Sequence, residues 1–474
     1  MTDHTQAEED VRRAIRTLLA QNPETSERPD ACLSLHGTLP DFDSRHKLAV
    51  SAASAIGAYA VTVQQWWQQC TGHAQTIDID WMQAASSLNP GHFQTQSGYG
   101  LPALSLLTEL KADFYRTRDN RWFFPIGSYP HLRDGVLKVL NCPNTERGLA
   151  DAIAKWSADE LEDAFAAARL PGIYARSQSE WRAHPQGSLL AAQPPIQIER
   201  IDDSPVIPAS AGERPLDALR VLDMGHVIAG PVVARTLAEH GAQVLRLDPP
   251  LRQDPFRQTI DTNIGKRSAF CDLDRDEDRT RLQTLIANTD VMVQSWRPGS
   301  LEGRGFGAQQ AAAIRPGIIY VSVSAYGDSG PWATRGGFEQ LGQIVSGIAM
   351  DEGDADRPRL VPTYLLNDYL TGYLGATGVM MALMRRAREG GSYHVKVSLT
   401  RTSMWVQDLG LLAIPDAAIR GQHFATQLRP VLERRDSPYG ILEQLGPVAR
   451  FSHTPAKWSL PPSPTGAFPA RWQS

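Results

Sequence analysis

Cysteine is scarce: Cys32, Cys70, Cys142 and Cys271 are the only four among 474 residues, and no two form a CxxC pair. That excludes a disulfide framework and a thiolate zinc site, and it fits a reducing cytosol. Charge of one sign is lacking too. The 47 Lys plus Arg stand against 52 Asp plus Glu, a net charge of -5, so bulk electrostatics do not favour nucleic acid. Acidic ligands need local basic sites. Long apolar runs are missing, the longest being the Ala- and Ser-rich stretch from Ala49 to Val63. With a polar, acidic start, MTDHTQAEED, this predicts neither a signal peptide nor a membrane span, and a cytoplasmic protein is expected. Neither GxGxxG nor a Walker loop occurs, so an ordinary nucleotide fold carrying a nicotinamide is unsupported.

What is present is length enough for roughly two to three domains. Residues 1–46 read as an amphipathic helix over 7–21 followed by a loop rich in Pro, Ser and Asp. Residues 47–190 carry mixed helix and strand signals, with Ser157 and Glu160 spaced as a capping box. Residues 191–215, rich in proline and small residues, read as an exposed linker. From 216 to 474 the pattern becomes α/β: LRVLDMG, QVLRLD, DVMVQSW, GIIYVSVSAYG and HVKVSL read as strands, with helical patterns between several of them. This predicts a doubly wound, mostly parallel, Rossmann-like sheet beside a smaller α+β domain, with ligands at the carboxyl ends of the strands.

The run PTYLLNDYLTGYLGATGVMMAL places one carboxylate, Asp368, ahead of a helix built on Gly372, Gly375, Ala376, Gly378 and Ala382. Small residues let other backbone approach closely, and a carboxylate at a helix N-terminus among apolar neighbours suits a nucleophile as well as an N-cap. The segment also has an echo. Ser54 to Ser86 aligns with Gly372 to Met404 at a constant offset of 318, pairing Gly57 with Gly375 and Gly72 with Gly390. Asp368 then falls on Val50, so the N-terminal copy lacks the carboxylate.

LDALRVLDMGHVIAGPVVARTLAEHGAQVLRLDPP, NIGKRSAFCDLD, DVMVQSWRPGSLEGRGFG, RPGIIYVSVSAYGDSGPW, GGFEQLGQIVSG and NDYLTGYLGATGVMMAL follow one another through residues 216 to 410. In that order they resemble the first half of a class III CoA-transferase superfamily chain, the group of formyl-CoA transferase, carnitine CoA-transferase and α-methylacyl-CoA racemase. Residues 90–190 look like the family's small second domain, and the tail from Pro438 to Pro462 resembles its closing segment. Here the small domain comes first, which reads as a circular permutation or partial duplication.

The resemblance implies that Asp368 is the nucleophile, that coenzyme A is a substrate with no tightly bound cofactor or metal, and that acyl-CoA and carboxylic acids are the partners. A homodimer is the assembly known relatives suggest. His226, Val227, Ile228 and Ala229 match a segment lining the CoA channel, Trp296 and Arg304 match positions near the adenine and 3′-phosphate, and Lys266 with Arg267 occupies a basic element. Ser295, Ile228 and Pro249 depart from the residues many members carry there. In the racemase branch a His lies 30 positions before the aspartate, where this chain has Phe338. Phe338 and the neighbouring Glu339 are thus expected to line the acyl site, Phe338 covering the acyl group and Glu339 pointing elsewhere. The expected reaction is CoA transfer through an aspartyl intermediate; a racemase or isomerase and a non-catalytic CoA-binding relative are the alternatives. No run of glycines marks an oxyanion loop.

Overall fold

A computed structural model describes residues 3–21, 28–102, 110–251, 254–354, 356–413 and 421–473. Part of the loop expected over 22–44 lies outside those residues. The five strands expected after residue 216 all form, and two further segments join them in one seven-stranded sheet. In chain order these are β1 (Gln197–Asp202), β2 (Arg220–Met224), β3 (Gln243–Asp248), β4 (Lys266–Phe270), β5 (Val291–Gln294), β6 (Ile319–Ser324) and β7 (Ser392–Ser398). The spatial order is β4-β3-β2-β5-β6-β7-β1, all parallel except β1, which runs antiparallel to β7. The fold is therefore mixed α/β around a large, mostly parallel sheet. Its central strands read as mostly apolar runs because helices cover both faces.

Two expectations change here. The segment expected to be a linker supplies β1, whose backbone completes an edge that the sheet would otherwise expose. KRSAF, expected to place Lys266 and Arg267 together for CoA, is a strand, so those two side chains alternate between faces.

Four helices shape the site: α1 (Leu48–Thr71), α2 (Ala229–Ala238), α3 (Glu339–Ser346) and α4 (Asn367–Glu389). α4 is buried from Asn367 to Met384 and packs most heavily on α1 and α2. The glycine spacing read in the sequence has a direct cause: a Cβ on Gly372 would lie 2.4 Å from Val232 Cγ1, and one on Gly375 2.7 Å from Val233 Cγ2. Only glycine permits this approach of α2 to the start of α4.

Both copies of the repeated helix, glycine turn and strand form. α1 ends at Gly72 in the left-handed region, φ 77°, before the strand Ile77–Asp80; α4 ends at Gly390, φ 69°, before β7. Each strand has a parallel neighbour on one side and an antiparallel one on the other. Val50 is buried in the apolar core that α1 shares with α4.

Residues 110–191 add an antiparallel three-stranded sheet (Tyr115–Arg116, Trp122–Pro125, Gly172–Tyr174) and short helices around their own apolar cluster. There Ser157 and Glu160 make the expected capping box. The chain's last strands pair back onto early ones: Ala449–Phe451 with Ile77–Asp80, and Gly440–Leu445 with Thr95–Gln96.

Candidate functional site

The strand order reverses between β2 and β5. In a parallel sheet that leaves a crevice beyond their carboxyl ends, because the connections depart in opposite directions. A cavity of about 480 Å³ occupies it, lined by His226, Val227 and Ala229 after β2 and by Ser295, Trp296 and Arg297 after β5. Arg304, Arg335, the Gly336–Phe338 segment and Asp368 complete the wall, together with Tyr129, His131 and Leu132 from the N-terminal part of the chain. Asp368, Phe338, Val227 and Tyr129 also line a second cavity of about 910 Å³. Asp368 thus stands where the two meet.

The turn after β2 is tightly held. The His226 amide donates to Ser295 Oγ at 2.7 Å, and the Val227 amide to Asp254 Oδ2 at 2.9 Å. Val227 has φ 60°, a strained conformation for a β-branched residue. Asp254 fixes it while accepting from Tyr129 Oη at 3.1 Å and pairing with buried Arg246 at 2.5 Å. Trp296 donates from Nε1 to Met224 O at 3.0 Å and meets the His226 ring edge-on, centroids 4.7 Å apart. Burial pulls the His226 imidazole below its usual value, which favours the neutral ring.

Asp368 lies in the first turn of α4, one residue inside it, so it is not the N-cap. The capping function comes from another helix. Glu339, at the start of α3, accepts the Asn367 amide at 3.0 Å, the Asp368 amide at 2.6 Å and Gln343 Nε2 at 2.7 Å. Asn367 returns the contact by donating to Glu339 O at 3.0 Å, and Ser403 Oγ donates to Asn367 Oδ1 at 2.7 Å. Glu339, expected to point away from the acyl group, turns its carboxylate to the backbone that presents Asp368, because a buried helix start needs an acceptor for its first amides. Asp368 is 8% exposed. Burial first, and then the Glu339 charge, raise its pKa well above the usual 3.8. Glu339 is raised too, by burial, with its hydrogen bonds opposing. Those bonds favour a charged Glu339, so the proton of the pair belongs on Asp368.

Of the residues singled out in the sequence, the structure brings His226, Val227, Ala229, Trp296, Arg304, Phe338 and Asp368 to the first cavity. Ile228 turns to the second, which Glu339 also lines. Lys266 and Arg267 reach neither among the described residues. Lys266 is fully buried, with Nζ 2.6 Å from Asp223 Oδ2 and 2.6 Å from Pro231 O. Burial lowers its pKa to about 8 despite the aspartate. Arg267, on the opposite face of β4, donates to Gln473 Oε1. A strand cannot turn both side chains of a basic pair into one pocket. Arg304 pairs only loosely with exposed Asp274, at 3.4 Å. Arg297, which the sequence reading passes over, has no carboxylate partner among the described residues and is anchored by donating to Arg169 O at 3.1 Å. Its place directly after Trp296 in the same motif is the available signal. Tyr129 and Asp254 carry no signal, since only folding brings them together.

Among the described residues, no group of His, Cys, Asp and Glu is disposed to hold a metal ion, and no helix is long and apolar enough to cross a membrane. Residues 216–423 match CoA-transferase family III. Over 330 residues the chain is 32% identical to an acetyl-coenzyme A transferase of Hypoxylon pulicicidum, covering 64% of this chain and 55% of that protein. Over 198 residues it is 32% identical to a succinyl-CoA–D-citramalate CoA-transferase of Chloroflexus aurantiacus, covering 39% and 49%. The crystal structure of a CAIB/BAIF family protein from Brucella suis is 29% identical at a TM-score of 0.38, over 41% of this chain and 55% of that one. The chain spans about half the length of these relatives. The matched order of motifs and the crevice it builds lead to one conclusion: over residues 216–423 the chain carries the pattern of CoA-transferase family III and is similar to the class III CoA-transferase superfamily.

Proposed function

We propose that this protein moves CoA between an acyl-CoA thioester and a free carboxylic acid through a covalent intermediate on Asp368. The carrying observation is the position of Asp368, the buried carboxylate common to the walls of both cavities. The first cavity has what CoA requires: guanidinium groups at Arg297, Arg304 and Arg335 for phosphates, and Trp296 beside His226 as an aromatic wall. The second leaves room for an acyl group.

In this reading the Asp368 carboxylate attacks the thioester carbonyl, the C–S bond breaks, and CoA leaves as thiolate from a mixed anhydride. The thiolate then attacks the Asp368 carbonyl carbon and releases the donor acid as carboxylate, leaving an aspartyl-CoA thioester. The same two steps in reverse with a second acid return Asp368 as carboxylate. Covalent catalysis suits this exchange because it divides one transfer into steps of similar energy. The N-terminal part supplies Tyr129 and Leu132 to the same cavity, in keeping with a permuted or partly duplicated chain. The decisive measurement is a panel of CoA thioesters and free acids followed by mass spectrometry, with hydroxylamine or borohydride trapping at Asp368. Exchange without modification of that residue would refute the intermediate.

An isomerase needs a second proton carrier facing the α-carbon. Phe338 stands at both cavity walls and carries none, and Glu339 is occupied by amides. No solvent deuterium should enter the α-position of 2-methylacyl-CoA during turnover; wash-in at the turnover rate that is lost in Asp368→Ala would favour the isomerase.

The geometry carries two more expected outcomes. Arg304→Ala should raise the apparent constant for CoA thioesters about tenfold with a smaller change in turnover, the loss of one charge-assisted phosphate contact. Equal wild-type affinity for CoA and dephospho-CoA would argue against a 3′-phosphate role. Because attack requires the ionised aspartate, and its pKa is raised, the acid limb of kcat/KM should lie well above pH 3.8. Glu339→Gln removes one of the two causes of that shift, so the limb should move to lower pH. An unmoved limb would separate Glu339 from the titration.

A further inference from the structure

Arg297, Arg335 and Gly336 also face a third cavity, of about 90 Å³, whose other lining comes from Tyr326 and from the segment around Arg169 in the N-terminal part of the chain. Neither Tyr326 nor Arg169 reaches the first cavity, so the two cavities share a wall. The space suits a few water molecules or one small ion, and is too small for an acyl chain. Tyr326 is 2% exposed, and its Oη is sealed from water with no hydrogen-bond partner among the described residues. A buried hydroxyl is rarely left so unless something outside the chain completes it. Burial raises its pKa, so it keeps its proton and can donate.

Three arginines line the same space. Arg169 and Arg297 have no carboxylate partner among the described residues, and Arg297 is held by donating from Nη2 to Arg169 O at 3.1 Å. That bond brings like charges together: burial first, and then the Arg169 charge, lower the Arg297 pKa. A Cβ on Gly336 would lie 2.5 Å from Arg297 Nη2, so the glycine makes room for the guanidinium. Arg335 lies over the Trp332 ring at 4.0 Å and reaches Glu162 only at 3.6 Å and Asp163 at 3.9 Å. Glu162 is already matched, since Arg176 Nη2 donates to both its oxygens, at 2.6 and 2.9 Å. Positive charge is therefore in excess around an unpaired hydroxyl, and guanidiniums offer donors only. A bound anion relieves that repulsion, and the planar forks match an oxyanion.

We infer that this third cavity holds a small inorganic oxyanion, of the phosphate or sulfate class, against Tyr326 Oη, Arg169 and Arg297, and that its occupancy lowers the affinity for CoA in the cavity beside it. The coupling rests on the CoA-transferase reading above; the anion site does not. Arg297 and Arg335 stand in both walls, so an anion in the small cavity neutralises charge that the CoA phosphates need. By linkage, CoA loosens the anion by the same factor. CoA binding thereby responds to the concentration of free oxyanion.

Inorganic phosphate is the probe, at an ionic strength held constant with chloride. Calorimetry should show phosphate bound by the wild type, with Tyr326→Phe and Arg169→Gln each weakening it about tenfold, the lower range for a hydrogen bond to a charged group. Arg169→Gln keeps the carbonyl that anchors Arg297, and either variant serves if the other does not fold. CoA affinity without phosphate should be the same in both variants as in the wild type. Raising phosphate should increase the wild-type CoA dissociation constant about 5- to 10-fold and then level off, because both ligands are bound together. In the variants the same increase should need about ten times more phosphate. An increase without a plateau would mean that a phosphate of CoA itself takes the cavity, and that overturns the inference. So does absence of phosphate binding by the wild type, or binding that neither substitution weakens. Phosphate bound with no effect on CoA overturns the coupling. Phosphate bound as expected without any CoA binding would retain the anion site and remove the transferase reading; CoA exchange without a phosphate site would do the reverse.

Discussion

Replacing Asp368 by Ala should lower CoA exchange on the order of 10³-fold or more, as loss of a covalent nucleophile does elsewhere. The structure makes this a clean experiment. Glu339 holds the Asp368 amide and not its side chain, so the start of α4 keeps its acceptor in the variant. The Asp368 carboxyl is buried beside the Glu339 carboxylate, and its removal should leave the unfolding midpoint unchanged or raise it. Retention of more than about a hundredth of wild-type exchange, on the same scale of expected loss, would mean that another group forms the intermediate. A fall in activity matched by a fall in folded protein would make the residue structural.

The largest expected effect on stability lies in the residue pair that the motif order suggests for CoA. Lys266→Ala leaves Asp223 charged and sealed in the sheet, where Lys266 Nζ now stands 2.6 Å from Asp223 Oδ2. Breaking one partner of a buried pair costs about 3–5 kcal/mol. Asp223 also accepts the Gly225 amide at 2.8 Å, and Lys266 reaches Pro231 O, so the pair ties β2 and β4 to the turn that carries His226 and Val227. Urea titration should show the loss, and Asp223→Ala in the same chain should recover part of it, since the uncompensated charge is then gone. A stability change below about 1 kcal/mol, far short of the buried-pair range, together with weakened CoA binding would return Lys266 to the ligand site. Any CoA effect is expected to come through the turn.

What can be read in the sequence rests on local physics. Strands β2, β3, β5 and β6 are legible because a sheet covered on both faces demands mostly apolar runs, and β7 because Tyr393, Val395 and Val397 alternate with more polar residues. The small-residue face of α4 is legible because close helix packing demands it, as Gly372 and Gly375 show against Val232 and Val233. Asp368 stands out as a carboxylate at the head of that face, and the order of six motifs carries the family. β1 escapes a sequence reading because an edge strand needs only one partner and tolerates the polar pattern of a linker. β4 escapes it because its first residue is a lysine, whose charge is neutralised by an aspartate 43 positions earlier.

The site itself was decided by tertiary structure. Sequence order places His226 and Trp296 in motifs; the reversal of strand order at β2 and β5 makes them two walls of one crevice. It could not show that the helix of Asp368 is capped by Glu339, since nothing local requires an acceptor from 29 residues upstream. Nor could it show that Tyr129, with no motif of its own, lines both cavities together with Asp368. Side-chain chemistry and spacing determine which segments become strands, helices and turns. Burial, pairing of charge and convergence of distant segments depend on how those elements pack, and these set the titration of Asp368 and the use of each cation.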